Sequence, residues 1–486
     1  MGFGLSERFD EDICSEALSQ ASKLGCDYAE VRLHTNTYTG YSLRSGVAEP
    51  AVLVDSRGVG VRVIYDGCLG FGATNVLTRE AVAEAVEAAV KMAKNSGYMG
   101  EKYDLSEEET VNADWTVSEV KPLSDLSAEV VVSLLRDVDS AANHEVKGIS
   151  FPVRLLRIDL STERKLYMNS EGSKVSSVVP RVSFHSVFVG LKDGERITVS
   201  VPPGYSGLGG SGGFELVENL KLVEYVSTRL AEIANTLSST TTPPRGEKVD
   251  VILGPNVASL TSHESVGHPF EMDRILGREA AQAGESYLNP QQPNIKLGGA
   301  EAYVSDDPTI PNSMGFYLYD DEGVKARRRR LLQAGQVSEL LLNRATAKRF
   351  GVKSNASARA VRYNVEPLIR MANTYIEPGD WDPSELLKDT NRGVYIKSFM
   401  EWNIDDKRLN QRYVGLEAFL IEGGEIKGAL NKPILEISTP TYWSSIDARA
   451  KDLEFYAGMC GKGDPMQGAP VYFGAPHIRL RSVVLG

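Results

Sequence analysis

Apolar positions recur at helical spacing over about residues 9–24, at Ile13, Ala17, Leu18, Ala21 and Leu24, and the run stops at Gly25. Tyr28 to His34 then reads as a strand, and Val61 to Tyr65 as an alternating one between turn signals at Ser56–Gly60 and Asp66–Gly67. An alanine-rich helix from Thr78 to about Asn95 completes a small α/β unit over residues 1–100. Beyond a polar connector and a helix near Ala128–Ala142, short runs at Leu155–Leu160, Lys165–Met168, Val175–Val179, Val182–Val189 and Ile197–Val201 predict an antiparallel meander. With a helix from about Glu215 to Leu237 they make a β-rich middle domain, residues 101–237.

Ser238 to Arg245 is polar, proline-bearing and without periodicity, which marks a boundary. The pattern restarts with a buried-looking strand, Val249–Leu253, and a Gly254-Pro255-Asn256 helix start leading to about Gly267. Mixed strands and turns follow to a terminal strand, Ile478–Leu485, so residues 246–486 form a third domain. The expected fold class is α+β.

Charge removes one class of partner. With 53 Lys+Arg against 65 Asp+Glu the formal charge is −12, which disfavours nucleic acid. No run approaches the length of a membrane span, the N-terminus lacks a secretory layout, and four scattered cysteines make no disulfide framework. A cytosolic location is expected.

Two of the six histidines fall in His263-Glu264-Ser265-Val266-Gly267-His268. Metallopeptidases use His-Glu-x-x-His on a helix because i, i+4 spacing aims both imidazoles at one metal beside the glutamate. Here the spacing is i, i+5, which on a regular helix leaves the side chains about 140° apart. A π-bulge absorbs the extra residue, and Gly267 and Pro269 stand where a helix is deformed or ended. Separately satisfied histidines at a helix end are the bland alternative.

Two histidines need a further protein ligand and an open position for water. Glu271 and Asp273 lie close enough in sequence to serve as ligands or as carboxylates fixing an imidazole tautomer. Cys460, expected to be accessible in a glycine-rich Gly458–Gly463 turn, is the other choice, and spacing does not decide between them.

The His263–His268 motif, Glu271, Asp320-Asp-Glu-Gly323, Arg370-Met-Ala-Asn-Thr374 and Gly458-Met-Cys-Gly-Lys462, with the early Asp27-Tyr-Ala-Glu-Val31, Gly58-Val-Gly-Val-Arg62 and Gly70-Phe-Gly-Ala73, together resemble the TldD/PmbA family of zinc metallopeptidases. The resemblance spans essentially the whole chain. It implies a zinc site on His263, His268 and Cys460, with Glu264 as the catalytic glutamate. One branch of that family lacks the motif and acts as a non-catalytic partner, so this chain resembles the catalytic branch. It further implies a cytosolic enzyme acting on unfolded polypeptides or precursor peptides, as a homodimer or as a heterodimer with a related subunit.

Two rivals stand beside zinc-dependent peptide hydrolysis: a non-catalytic zinc-containing scaffold subunit and a small-molecule metal amidase. His477 follows Cys460 closely enough to return to the metal and aid the transition state. Gly207-Leu-Gly-Gly-Ser-Gly212 imitates a dinucleotide fingerprint, but Pro202-Pro203 and the antiparallel surroundings favour a flexible loop near the site. Lys325-Ala-Arg-Arg-Arg-Arg330 reads as a hairpin strand with partly solvated arginines, a basic rim for acidic peptide segments being the sharper alternative.

Overall fold

The structure is a computed structural model and describes residues 7–96, 102–192, 194–204, 206–279, 284–292 and 294–486. The helices Glu7–Lys23 and Arg79–Ser96 pack on one face of a sheet through Ile13, Ala17, Val82, Val86 and Ala89. The facing strand residues are Val31, Leu33, Val59, Val61 and Val63, the odd-numbered set that strand alternation places on one side.

That sheet has nine strands among the described residues, drawn from both sides of residue 100. Its order is Cys68–Thr74, Val52–Tyr65, Tyr28–Arg44, Ser150–Asn169, Lys174–Lys192 and Asn112–Thr116, with three short strands paired at its margins. Strand Tyr28–Arg44 pairs antiparallel with Ser150–Asn169 from Glu30↔Asn169 to Arg44↔Leu155. Four of the five short runs expected in the meander are halves of two long strands, because alternation continues through the polar residues between them, and the fifth, Ile197–Val201, falls on the separate strand Glu195–Ser200. Helices Ala128–Ala142 and Leu222–Leu237 cover a second apolar cluster around Leu156, Ile158, Phe184 and Phe188.

Ser56–Gly60 is not a turn but the middle of strand Val52–Tyr65. Its glycines are there for close approach. A Cβ on Gly58 would strike the Tyr363 ring, and one on Gly60 the Tyr363 carbonyl. Asp66-Gly67 is a turn as expected, both residues having positive φ.

The even-numbered face of the same strands carries Glu30, Arg32, His34 and Arg62, all buried against the C-terminal part of the chain. Arg62 binds Glu30 at 2.8 Å and Glu322 at 2.6 Å, Lys165 binds Asp321 at 3.0 Å, and Tyr167 donates to the Glu322 carbonyl. The Asp320–Gly323 segment therefore docks the two halves together. Desolvating such pairs costs much of what their attraction returns, so they set the docking geometry more than they add stability.

The C-terminal part has two principal sheets. A seven-stranded one includes Lys248–Leu253 beside the parallel Arg392–Ile404 and the antiparallel Ile478–Val484. A six-stranded one ends in Asn373–Ile376, Gln467–Ala475 and, at its edge, Glu454–Lys462. Helix Pro255–Ser262 lies between them, touching strands of both, and all eight of its residues are buried. The largest apolar cluster surrounds it. No helix among the described residues is long and apolar enough to cross a membrane.

Candidate metal centre

Strand Lys248–Leu253 leads into the buried helix through Gly254, which sits so close to Lys397 that a Cβ would meet its carbonyl, and through Pro255 at the first helical position. The helix does not continue regularly. His263–Gly267 form a π-turn, closed by the His268 N–H on the His263 carbonyl, and His268–Phe270 tighten into a 3₁₀ turn. The extra residue is thereby absorbed, and the two imidazole centroids lie 4.8 Å apart at 79°.

Tertiary contacts hold this uncommon turn. Tyr287 donates to the Ser265 carbonyl at 2.7 Å, and Trp443 Nε1 to Ser265 Oγ at 3.1 Å. Gly267 has ordinary right-handed backbone angles, so its smallness serves packing: a Cβ there would collide with the sulfur of Met371.

Cys460 arrives on the edge strand Glu454–Lys462, not in an accessible turn. Its Sγ lies 3.2 Å from His268 Nε2, and one ligand atom each from His263, His268 and Cys460 fall within 4.8 Å of one another. All three residues are buried. Burial alone would raise the Cys460 pKa, but His268, Arg370 and His263 outweigh it and hold the thiol well below its ordinary value. Burial works against a charged His263, and the neighbouring Cys460 and Glu264 overcome it and raise its pKa.

Behind His268 stands a buried charge network. Glu271 Oε2 is 3.1 Å from His268 Nδ1, 2.6 Å from Arg274 Nε and 3.1 Å from Lys462 Nζ. Lys462 also binds Asp273 at 2.7 Å and donates to the Ile369 carbonyl. Of the two carboxylates near the motif, Glu271 thus engages the far ring nitrogen of His268, leaving Nε2 toward the sulfur, and Asp273 is one residue further out, on Lys462. Burial favours the neutral form of Glu271, yet Lys462, His268 and Arg274 keep its pKa well below the usual range.

On the other side Glu264 pairs with Arg408, both buried. Burial opposes the Glu264 charge, and Arg408 with the two histidines lowers its pKa nonetheless. Arg408 comes from the turn that joins strands Arg392–Ile404 and Asn410–Glu422.

His477 is engaged elsewhere. Its Nδ1 is 2.6 Å from Asp452 and its Nε2 is 2.8 Å from the Tyr395 hydroxyl. The Gly207–Gly213 segment is not a flexible loop: Leu208–Ser211 is a strand paired with Arg181–Phe184, and Gly207 exchanges both backbone hydrogen bonds with Ala457 on the cysteine strand. A Cβ at Gly209 would strike the Val182 carbonyl and one at Gly210 the Asn312 carbonyl, so these glycines permit close backbone packing. Within the arginine run Arg329 is fully buried against Asp306 and the Asn355 and Ala356 carbonyls, contrary to partial solvation, while Arg327 pairs with Glu339 and Arg328 with Glu377. Gln467 contributes its carbonyl to Arg370.

Arg408 and Trp443 have no motif that marks them in the sequence, and Arg370 opens the Arg370–Thr374 motif without any site role attached to it there. Lys462 was legible in principle, because i, i+2 spacing on a strand puts it on the same face as Cys460.

The donor set suits zinc: two imidazoles and one thiolate leave a fourth position open, as in hydrolytic sites. Tetrahedral zinc with bonds of about 2.0 Å to nitrogen and 2.3 Å to sulfur separates N and S by roughly 3.5 Å, near the distance found. His263 Nδ1 is also buried without a hydrogen-bond partner among the described residues, as expected where an ion completes the electrostatics.

Three sequence signatures match the chain: PmbA/TldA metallopeptidase domain 1 over residues 29–93, the central domain over 121–237 and the C-terminal domain over 246–486. A metalloprotease of Methanothermobacter thermautotrophicus is 29% identical over 461 residues, covering 95% of each chain. A zinc metalloprotease TldD homolog of Saccharolobus solfataricus is 26% identical, covering 96% of this chain and 98% of its own. The crystal structure of TldE from Thermococcus kodakarensis shares the fold, with a TM-score of 0.72 at 19% identity, over 98% of this chain and all of its own.

Proposed function

The chain belongs to the PmbA/TldA metallopeptidase family, and on that premise we propose that it is a zinc-dependent peptidase acting on unfolded polypeptides or precursor peptides. The observation that carries this reading is the buried convergence of His263, His268 and Cys460 with the carboxylate of Glu264 following directly on the first ligand. When bound there, zinc supplies Lewis acidity, lowering the pKa of water and polarising a carbonyl. Glu264 takes the proton of the attacking water and passes it to the leaving amine, so the carbon–oxygen bond forms and the carbon–nitrogen bond breaks with protons conserved. Glu271, anchored by Lys462 and Arg274, fixes the His268 tautomer.

A purely structural zinc site is usually closed by four protein ligands and has no use for Glu264, which argues against the scaffold reading. The edge position of Glu454–Lys462 supports an extended substrate over a small amide. Ala457 directs its backbone groups off the edge to Gly207, so Met459 and Gly461, two and four residues on, direct theirs the same way beside Cys460. An unfolded segment can add there as a strand, whereas a folded domain cannot. The four cysteines form no disulfide among the described residues, which supports action in the cytosol, and assembly as a homodimer or with a related subunit is part of the same proposal.

The test is cleavage of casein and of a tightly folded, protease-resistant protein, with and without chelator and after zinc is returned. Loss on chelation, recovery with zinc and sparing of the folded protein are expected. Cleavage that ignores chelation, or that consumes both proteins at one rate, would overturn the reading.

A further inference from the structure

Peptide hydrolysis places negative charge on the former carbonyl oxygen, and a site needs a preorganised donor for it beyond the metal. The cations around the cluster differ in which group they stand against. Arg274 and Lys462 bind Glu271 and Asp273 behind His268. Arg370 gives its two terminal nitrogens to the carbonyls of Gln467 and Cys460, locking the cysteine hairpin. Arg408 instead meets Glu264, the carboxylate that must stand beside the attacking water and the scissile carbonyl.

The turn carrying Arg408 is built to hold it still. Asp405 accepts the N–H groups of Leu409 and Asn410 through its carboxylate and that of Arg408 through its carbonyl. Thr439 Oγ1 donates to the Arg408 carbonyl at 2.8 Å, and the Thr439 N–H donates to Leu409. Arg408 itself adopts φ +61°, a left-handed conformation that costs an ordinary side chain energy and is kept where the surroundings over-determine it, often at active sites. A long side chain in that conformation, on a pinned turn of the opposite sheet, reaches a buried carboxylate on the metal helix.

We propose that Arg408 is a catalytic residue of this site: its guanidinium holds Glu264 in place at rest and donates an N–H to the tetrahedral oxyanion as it forms. Arginine suits both roles, since its fork offers separate donors to a carboxylate and to a second oxygen and its charge is permanent. The assignment rests on the peptidase reading. It adds a residue that no sequence motif marks.

The zinc-loaded full chain, Arg408→Lys and Arg408→Asn are compared, asparagine being chosen because it tolerates the left-handed conformation. Zinc content, kcat and KM on an unfolded peptide, and calorimetric affinity for a phosphinate peptide that mimics the tetrahedral anion are measured on each. In Arg408→Asn, kcat is expected to fall about 10²–10³-fold with KM changed less than about threefold and zinc retained. Phosphinate affinity should fall in parallel, and Arg408→Lys should recover part of both. A kcat within about fivefold of wild type, an effect confined to KM, phosphinate affinity that is unmoved, or loss of zinc in both variants would each overturn the assignment. If the wild-type chain cuts no peptide, the peptidase reading fails on its own account, and phosphinate binding still decides whether Arg408 recognises the anion.

Discussion

Cys460 Sγ stands 3.2 Å from His268 Nε2 although 192 residues separate them. The intervening chain is folded, so the closure entropy is not charged to the site alone. Cys460→Ser is expected to weaken zinc binding by at least about 100-fold, because the thiolate is the one soft ligand. In the zinc-loaded protein Cys460 should resist iodoacetamide near neutral pH and react after chelation, which mass spectrometry of the labelled peptide reads directly.

Glu264→Ala should keep a full complement of zinc and lose activity by roughly 10²–10⁴-fold, the usual contribution of a general base. Metal analysis and steady-state rates on one preparation check both halves. A rate within about tenfold of wild type would remove the base role.

Glu271→Gln keeps the shape and removes the charge that Lys462 and Arg274 share. Breaking a buried pair from one side is strongly destabilising, so a loss of about 3 kcal/mol or more in unfolding free energy is expected. Zinc affinity should also fall about 10–100-fold, as when the partner of a metal-bound imidazole is altered. Chemical denaturation and a zinc competition titration measure the two effects. Asp273→Asn, one shell further out, should affect zinc less.

Much of this site was legible from the chain. The i, i+5 spacing of His263 and His268 demands a π-turn if the imidazoles are to converge, and the turn is present. The reason for Gly267 was not legible, because the sulfur it yields to belongs to Met371, distant in sequence. The same limit governs Gly58 and Gly60: alone they read as a turn, whereas Tyr363 makes them a close-packed stretch of strand. Polar stretches such as Glu30-Val-Arg-Leu-His34 alternate like a solvated strand, yet their charged face is buried against Asp320–Gly323 and its surroundings, a partnership that local pattern does not encode. Arg408 escaped for a related reason, since a turn rich in charge gives no hint that one of its side chains is buried.

Acid should destabilise the buried charged face of the nine-stranded sheet. His34, buried 3.1 Å from Glu163, has its pKa lowered, chiefly by burial, with Glu163 offsetting only part. Below about pH 6.5 the unfolded chain takes up a proton that the folded one declines, so this contribution is complete above that pH and is lost as pH falls toward the folded value. Burial would raise the Glu163 pKa, but Lys165, Arg181 and His34 bring it well below 4.5. Its contribution is therefore present above about pH 4.5 and lost further into acid. Both act in one direction. The thermal midpoint should fall below pH 6.5 and again below 4.5, and His34→Gln should abolish the first decline and leave the second.

The central claim, a zinc ion held by two imidazoles and one thiolate with a position left for water, is tested most directly by zinc X-ray absorption on the purified full chain with its metal stoichiometry. One zinc per chain is predicted, with a single sulfur at about 2.3 Å and nitrogen or oxygen neighbours near 2.0 Å. The sulfur contribution should vanish in any residual zinc bound by Cys460→Ser. A first shell without sulfur, or one with four protein ligands and no exchangeable position, would contradict the account.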